Sequence, residues 1–174
     1  MIDHTFKGCK KLTQISFPSS VRSIVECAFL ECSSLRQITI PSSVRKIDDY
    51  AFAECHSLTN VSIPPISIIR EYTFSGCFSL TEVIIPSSVK SIGEGAFCDC
   101  TSLKKVMFST SLTKIGDYAF SRCPLLTQIS IPASVTSIGD DAFNGCTALN
   151  QITIPASLVS SRIGLNSNTQ IIKI

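Results

Sequence analysis

Leu35-Arg36-Gln37-Ile38-Thr39-Ile40-Pro41-Ser42-Ser43-Val44-Arg45-Lys46-Ile47-Asp48-Asp49-Tyr50-Ala51-Phe52-Ala53-Glu54-Cys55 is one turn of a pattern that fills the chain. Its closing frame, Ala or Thr followed by Phe, two further residues and Cys, recurs at Phe6, Phe29, Phe52, Phe74, Phe97, Phe120 and Phe143, with spacings of 23, 23, 22, 23, 23 and 23. A fixed period of about 20 to 29 residues with aliphatic side chains in register marks a solenoid, in which each copy is one coil stacked on its neighbours. Residues 1–11 read as a partial first repeat, 12–148 as six complete repeats, and 149–174 as a partial repeat with a tail, all in one solenoid domain. The chain starts inside a repeat and so reads as a segment of a longer protein.

Within a copy, Ile38-Thr39-Ile40 alternates with period two, the pattern of a short strand with Ile inward and Thr outward. A proline follows at Pro18, Pro41, Pro64, Pro86, Pro132 and Pro155, where a missing N–H and a fixed φ end the strand. The V-x-x-I step, as in Val44/Ile47 and Val89/Ile92, reads as a second extended or turn segment. An acid stands three residues before every repeat Phe: Asp3, Glu26, Asp49, Glu71, Glu94, Asp117 and Asp140. The spacing predicts a short helical turn around the Phe, N-capped by the Asp copies and favoured by its dipole at the Glu copies. Gly93, Gly116 and Gly139 follow the repeat Ile in a turn, where positive φ is the expected use.

Seven of the nine cysteines stand three residues after the repeat Phe, a register that predicts a column of buried free thiols. Cys27 and Cys98 fall outside the column and are the expected reactive pair. The net charge of +2 and the scattered Lys and Arg residues give no footprint for nucleic acid or an anionic membrane. No 18-residue apolar stretch and no signal-peptide layout occur, so no membrane insertion is expected. No zinc pattern, nucleophile constellation, phosphate-binding loop or dinucleotide fingerprint is present; the expectation is a non-enzymatic chain with no cofactor, no metal and no catalytic residues.

Repeat proteins bind through outward slots that vary on a constant scaffold. Mid-strand these are Ser16, Thr39, Ser62, Ile84, Met107, Ser130 and Thr153, where Ile84 and Met107 form an apolar step on a Ser/Thr ladder. Beside them runs an amide row, Gln14, Gln37, Asn60, Glu82, Lys105, Gln128 and Gln151, interrupted by charge at Glu82 and Lys105. All three tyrosines, Tyr50, Tyr72 and Tyr118, occupy the slot two before the Phe, which His4, Cys27, Gly95 and Asp141 fill elsewhere. Tyr offers a large contact area at low entropic cost, so Tyr50, Tyr72 and Tyr118, with Ile84, Met107 and Lys105, are the candidate partner-binding residues. A Tyr there can also serve only to cover the neighbouring turn.

The frame L-x-x-I-x-I-P-x-S-V-x-x-I-x-x-x-A-F-x-x-C, best seen from Leu80 to Ser102 and from Leu126 to Ala148, resembles the BspA-like, or Treponema-type, leucine-rich repeats over residues 1 to about 158. The resemblance implies a right-handed leucine-rich-repeat coil with a parallel β-sheet. It also implies a microbial surface protein that binds a protein ligand, with adhesion to host matrix proteins or cells as its role. An intracellular scaffold is the alternative, since the chain shows no export signal. Pro64-Pro65-Ile66 is one residue short of the frame, Phe108-Ser109 replaces Ile-Pro, and Ser160-Ser161-Arg162-Ile163 carries about two extra residues. Ile171-Ile172-Lys173-Ile174 reads as a last strand, and neither end shows a polar cap, which leaves edges open to self-association.

Overall fold

The structure, a computed structural model, describes residues 6–158 and 162–174. Asp3 and His4 of the repeat rows lie outside the described residues, as do Ser160 and Ser161. Six coils each contribute one strand to a first face and one to a second, and the last two strands of the chain add to the first face alone. The first face carries β1 (Gln14–Ser16), β3 (Gln37–Thr39), β5 (Asn60–Val61), β7 (Glu82–Ile84), β9 (Lys105–Met107), β11 (Gln128–Ser130), β13 (Gln151–Ile154) and β14 (Gln170–Lys173). The second carries β2 (Ser23–Ile24), β4 (Lys46–Ile47), β6 (Ile68–Ile69), β8 (Ser91–Ile92), β10 (Lys114–Ile115) and β12 (Ser137–Ile138). All pairings are parallel and in repeat register, for example Ile15 with Ile38 and Ile115 with Ile138. The tail forms the last strand, as its sequence suggests: β14 pairs with β13, setting Ile171 beside Ile152.

Alternation places side chains as expected from the period of two. Ile38 and Ile40 are buried and Thr39 between them is exposed. In most coils the proline carbonyl after the first strand accepts from the Val N–H three residues on, at 3.0 Å for Pro41 and Val44 and for Pro86 and Val89. The next residue back, Ser43, donates to the Val21 carbonyl of the coil before it (2.7 Å), and Ser134 does the same to Leu112 (2.6 Å). Ser88 holds the same slot, yet its buried hydroxyl has no partner. Its acceptor would lie in the shortened Pro64-Pro65-Ile66 turn, where the Ile66 N–H has folded back onto the Pro64 carbonyl (2.7 Å).

The third wall corrects the expectation of short helical turns and capping acids. No helix occurs among the described residues. The residues two before the Phe, at the Phe and two after it give their N–H groups to the following coil: Cys27 to Asp49 (3.1 Å), Phe29 to Ala51 (2.8 Å) and Glu31 to Ala53 (2.9 Å). A helical turn would spend those groups inside the coil. Left-handed residues on either side of the Phe make this ladder possible, with φ of 56° at Tyr50 and 59° at Glu54. The acids therefore cap nothing helical. Asp49 and Asp117 each accept, through Oδ1, the N–H of the same slot one coil on, Glu71 at 3.2 Å and Asp140 at 2.9 Å.

The core is a column of stacked rings. Phe6, Phe29, Phe52, Phe74, Phe97, Phe120 and Phe143 lie with ring centroids 5.2 to 5.8 Å apart and nearly parallel planes. The cysteine column runs beside it, and all nine cysteines are free. From Cys32 onward, each column thiol donates to the carbonyl of the Phe one coil back, as Cys55 does to Phe29 (3.3 Å) and Cys100 to Phe74 (3.4 Å). The slot thus needs a small, nearly apolar group that carries one weak donor, which Cys supplies.

Burial disfavours the thiolate, pushing Cys32 from its ordinary 9.0 to about 11 and Cys77 and Cys100 well above it. The sign follows from proton binding: a raised folded-state value means that the folded chain holds protons that the unfolded chain releases. This stabilisation is complete below about pH 8.5 and is lost as pH rises through the folded values. Urea unfolding at a series of pH values is expected to show a flat midpoint up to about pH 8.5 and a steep fall by pH 11. A Cys77→Ala/Cys100→Ala chain should show a shallower fall.

Candidate functional site

Two outward surfaces hold the sequence-predicted residues. On the first face Ile84 is 55% exposed and Met107 39%, and β7–β9 pairing puts them side by side. The same register sets Lys105 beside Glu82, with Lys105 Nζ 3.6 Å from Glu82 Oε1 and both side chains well exposed. An exposed ion pair of this kind contributes about 0–1 kcal/mol. Ser16, Thr39, Ser62 and Ser130 are exposed around this step, while Thr153 is half-buried beside β14. A cleft of about 530 Å³ lies against Ile84, Pro86, Asn60 and Ser62, where β5 and β7 do not pair.

The tyrosines form the other surface. Tyr50 and Tyr72 stack face to face with centroids 5.0 Å apart, and Tyr50 is 37% exposed. The Tyr72 phenol donates to Glu94 Oε1. Accepting that bond, the Glu94 carboxylate holds the phenol proton and, with burial, pushes Tyr72 well above its ordinary 10.0. Gly95 stands where the next ring would be, and a Cβ there would collide with the Tyr72 ring. Tyr118 continues the row beyond Gly95 and is 42% exposed. The structure therefore joins Tyr50 to Tyr72 and leaves Tyr118 apart. All three sit in the left-handed region, at φ of 56°, 50° and 53°. That backbone costs an L-residue about 1–2 kcal/mol relative to glycine.

Other expectations shift. Cys27 and Cys98 are half-buried, and both thiols are pushed upward, which opposes their reading as a reactive pair. Burial is the main cause at each; Glu26 adds to it at Cys27 and Asp99 at Cys98, which reaches about 11. Gly93, Gly116 and Gly139 do not have positive φ. They are required by close approach: a Cβ on Gly93 would lie 2.8 Å from the Arg70 carbonyl carbon. The sequence reading missed a stacked pair, His56 over Phe78 at 4.4 Å, with His56 Nε2 2.7 Å from Glu54 Oε2. The signal was available, since both residues directly follow a column cysteine and so are neighbours one coil apart. No cluster of three or more metal-ligating side chains occurs among the described residues, and no helix there is long and apolar enough to cross a membrane.

A parallel β-solenoid of about seven turns, with Leu, Ile, Phe and Cys in fixed inward slots, is a leucine-rich-repeat module. The chain belongs to the BspA-type leucine-rich-repeat family, whose model matches residues 2–71 and 67–174. Among solved structures it is similar to the T. pallidum leucine-rich repeat protein at 37% identity, covering 83% of this chain and 68% of that one, with a TM-score of 0.76. It is also similar to a leucine-rich cell surface protein from Faecalibacterium prausnitzii, at 26% identity over 98% of this chain and 62% of that one, TM-score 0.59. A leucine-rich repeat protein from Eubacterium ventriosum matches at 27% identity over 84% of this chain and 45% of that one, TM-score 0.69. The chain thus spans between about half and two thirds of the length of these relatives. No curated protein sequence matches it significantly.

Proposed function

We propose that this chain is the ligand-binding stack of a microbial surface protein, and that it adheres to host matrix proteins or cells without catalysing a reaction. Family membership supports a protein-binding role, and the F. prausnitzii relative described as a cell surface protein supports the location. The observation that carries the reading is the exposed tyrosine row. Gly95 fits the slot with the least backbone cost, yet three tyrosines occupy it at φ near 50°; Tyr50 and Tyr118 are exposed, and Tyr72 is half-buried between Tyr50 and its bond to Glu94. Cys27 and Asp141 hold the same backbone in this slot, so what distinguishes the tyrosines is exposed ring area, which contact with a partner buries at a gain. Weak contacts repeated on several coils combine into useful avidity.

Replacing Tyr50, Tyr72 and Tyr118 together by Ala is expected to weaken adhesion to host cells by at least about tenfold, since truncated hot-spot side chains cost about 2 kcal/mol or more. The thermal midpoint should stay within a few degrees, read by circular dichroism. Undiminished adhesion by the folded variant would remove the tyrosine row from the mechanism. A second reading, a scaffold for a protein partner inside the cell, is favoured by the nine free cysteines, because reduced thiols persist in reducing compartments.

A further inference from the structure

The first face is interrupted between β9 and β11, which do not pair although β7–β9 and β11–β13 do. The interruption extends outside the strands. The residue before β3, β5, β7, β9 and β13 donates to its counterpart one coil back, as Lys104 does to Thr81 (2.9 Å) and Asn150 to Thr127 (3.0 Å), but among the described residues Thr127, before β11, makes no such bond to Lys104. It falls between two departures from the repeat, Phe108-Ser109 and Pro124. Pro124 lacks the N–H that Thr101 and Thr147 give to Asp99 and Gly145 in the adjoining coils, both at 2.9 Å.

A cleft of about 430 Å³ opens at the break, lined by Lys104 and Lys105 on one side and by Thr127, Gln128 and Ser130 on the other. No carboxylate lines it. Lys104 has no ion pair among the described residues, and Lys105 has only the exposed contact to Glu82. Two residues along β9 from Lys105 stands Met107, with Ile84 beside it. That step is about 6.6 Å, the spacing of residues i and i+2 in an extended peptide.

We propose that this face takes an extended acidic segment of a protein partner, one carboxylate set against Lys104 and Lys105 and an apolar side chain two residues away set over Ile84 and Met107. Charge complementarity fixes the occupant: the cleft offers cations and neutral donors, and the apolar step next to it gives a uniform polyanion nothing to bind. The inference rests on the reading that this chain binds protein, and it names the chemistry of the segment bound.

The test is fluorescence anisotropy of the full chain with labelled nine-residue peptides centred on Asp-Gly-Leu, Lys-Gly-Leu or Asp-Gly-Ser, with heparin as the polyanion probe. The Asp-Gly-Leu peptide should bind saturably and weaken as salt rises. Lys104→Glu with Lys105→Glu should weaken it by about tenfold and transfer the preference to Lys-Gly-Leu; both residues are exposed, so the fold is kept. Met107→Ser should weaken Asp-Gly-Leu and leave Asp-Gly-Ser unchanged. Equal binding of the Asp and Lys peptides, heparin binding in place of the peptide, or no peptide binding would each overturn the inference. If host-cell adhesion persists in that event, the broader reading stands while this one fails; if adhesion is also absent, both fail.

Discussion

Phe97→Ala should lower the unfolding free energy by about 3–5 kcal/mol, the usual range for emptying a buried aromatic site. The ring is fully buried, with Phe74 and Phe120 stacked on its two faces at 5.4 Å each. Its removal leaves a void that neither neighbour can close, because both are held by their own coils' ladders. For a chain of this length the thermal midpoint should fall by on the order of 10 °C. The position in the stack adds a second signature. Coils contact only their neighbours, so a defect at the centre weakens two interfaces and uncouples the halves, and the denaturant transition should broaden or split. Phe78→Ala is the matched control: its ring is 39% exposed and rests on His56, so its loss should cost less than about 1 kcal/mol. Calorimetry and urea unfolding of the two variants make the comparison, and similar losses would refute the ring column as the main stabilising element.

Gly116→Val should be nearly as damaging for a different reason. A Cβ at Gly116 would sit 2.7 Å from the Gly93 carbonyl carbon and 2.8 Å from the Glu94 nitrogen, and backbone atoms cannot rotate aside as a side chain can. The coils must separate, which strains the Gly116 N–H bond to Ile92 (2.8 Å) and the Gly139 N–H bond to Ile115 (2.9 Å). Overpacking in a closed site costs about 1–3 kcal/mol, and a rigid wall places this change at the upper end. Gly8 is the opposite case: nothing lies within 4 Å of its Cβ position, but its φ is 70°. Gly8→Ala should therefore cost only the left-handed backbone penalty of about 1–2 kcal/mol. Chemical denaturation of both variants tests the distinction; equal effects would mean that the Gly93–Gly116–Gly139 row is conformational and not steric.

The parts of this fold that were legible in the sequence are those fixed by period and burial. The recurrence of Phe and Cys gave the coil count, and the alternation around Ile38 gave the inward and outward faces. A strand's two faces differ in polarity within three residues, so local reading is enough. The third wall was not legible, because Asp49-Tyr50-Ala51-Phe52 is compatible with a capped turn and with a left-handed ladder. What decides between them is where the N–H of Tyr50 goes, and its acceptor, Glu71, is 3.0 Å away in space but a full coil away in sequence. The glycine row was misread for the same reason: its constraint comes from the coil before and not from the turn itself. The candidate binding rows were nameable as outward slots. The stacking of Tyr50 on Tyr72, the Glu94 bond and the open seam at Thr127 depend on what each neighbouring coil places opposite, which a repeat frame averages away.

The most direct test of the account is binding of the purified, monodisperse chain to immobilised fibronectin, fibrinogen and laminin and to whole host cells, with serum albumin as the control surface. The account predicts saturable binding to at least one of them and none to albumin. Silence across the panel from a chain whose circular dichroism shows it folded would contradict adhesion as the function of this stack.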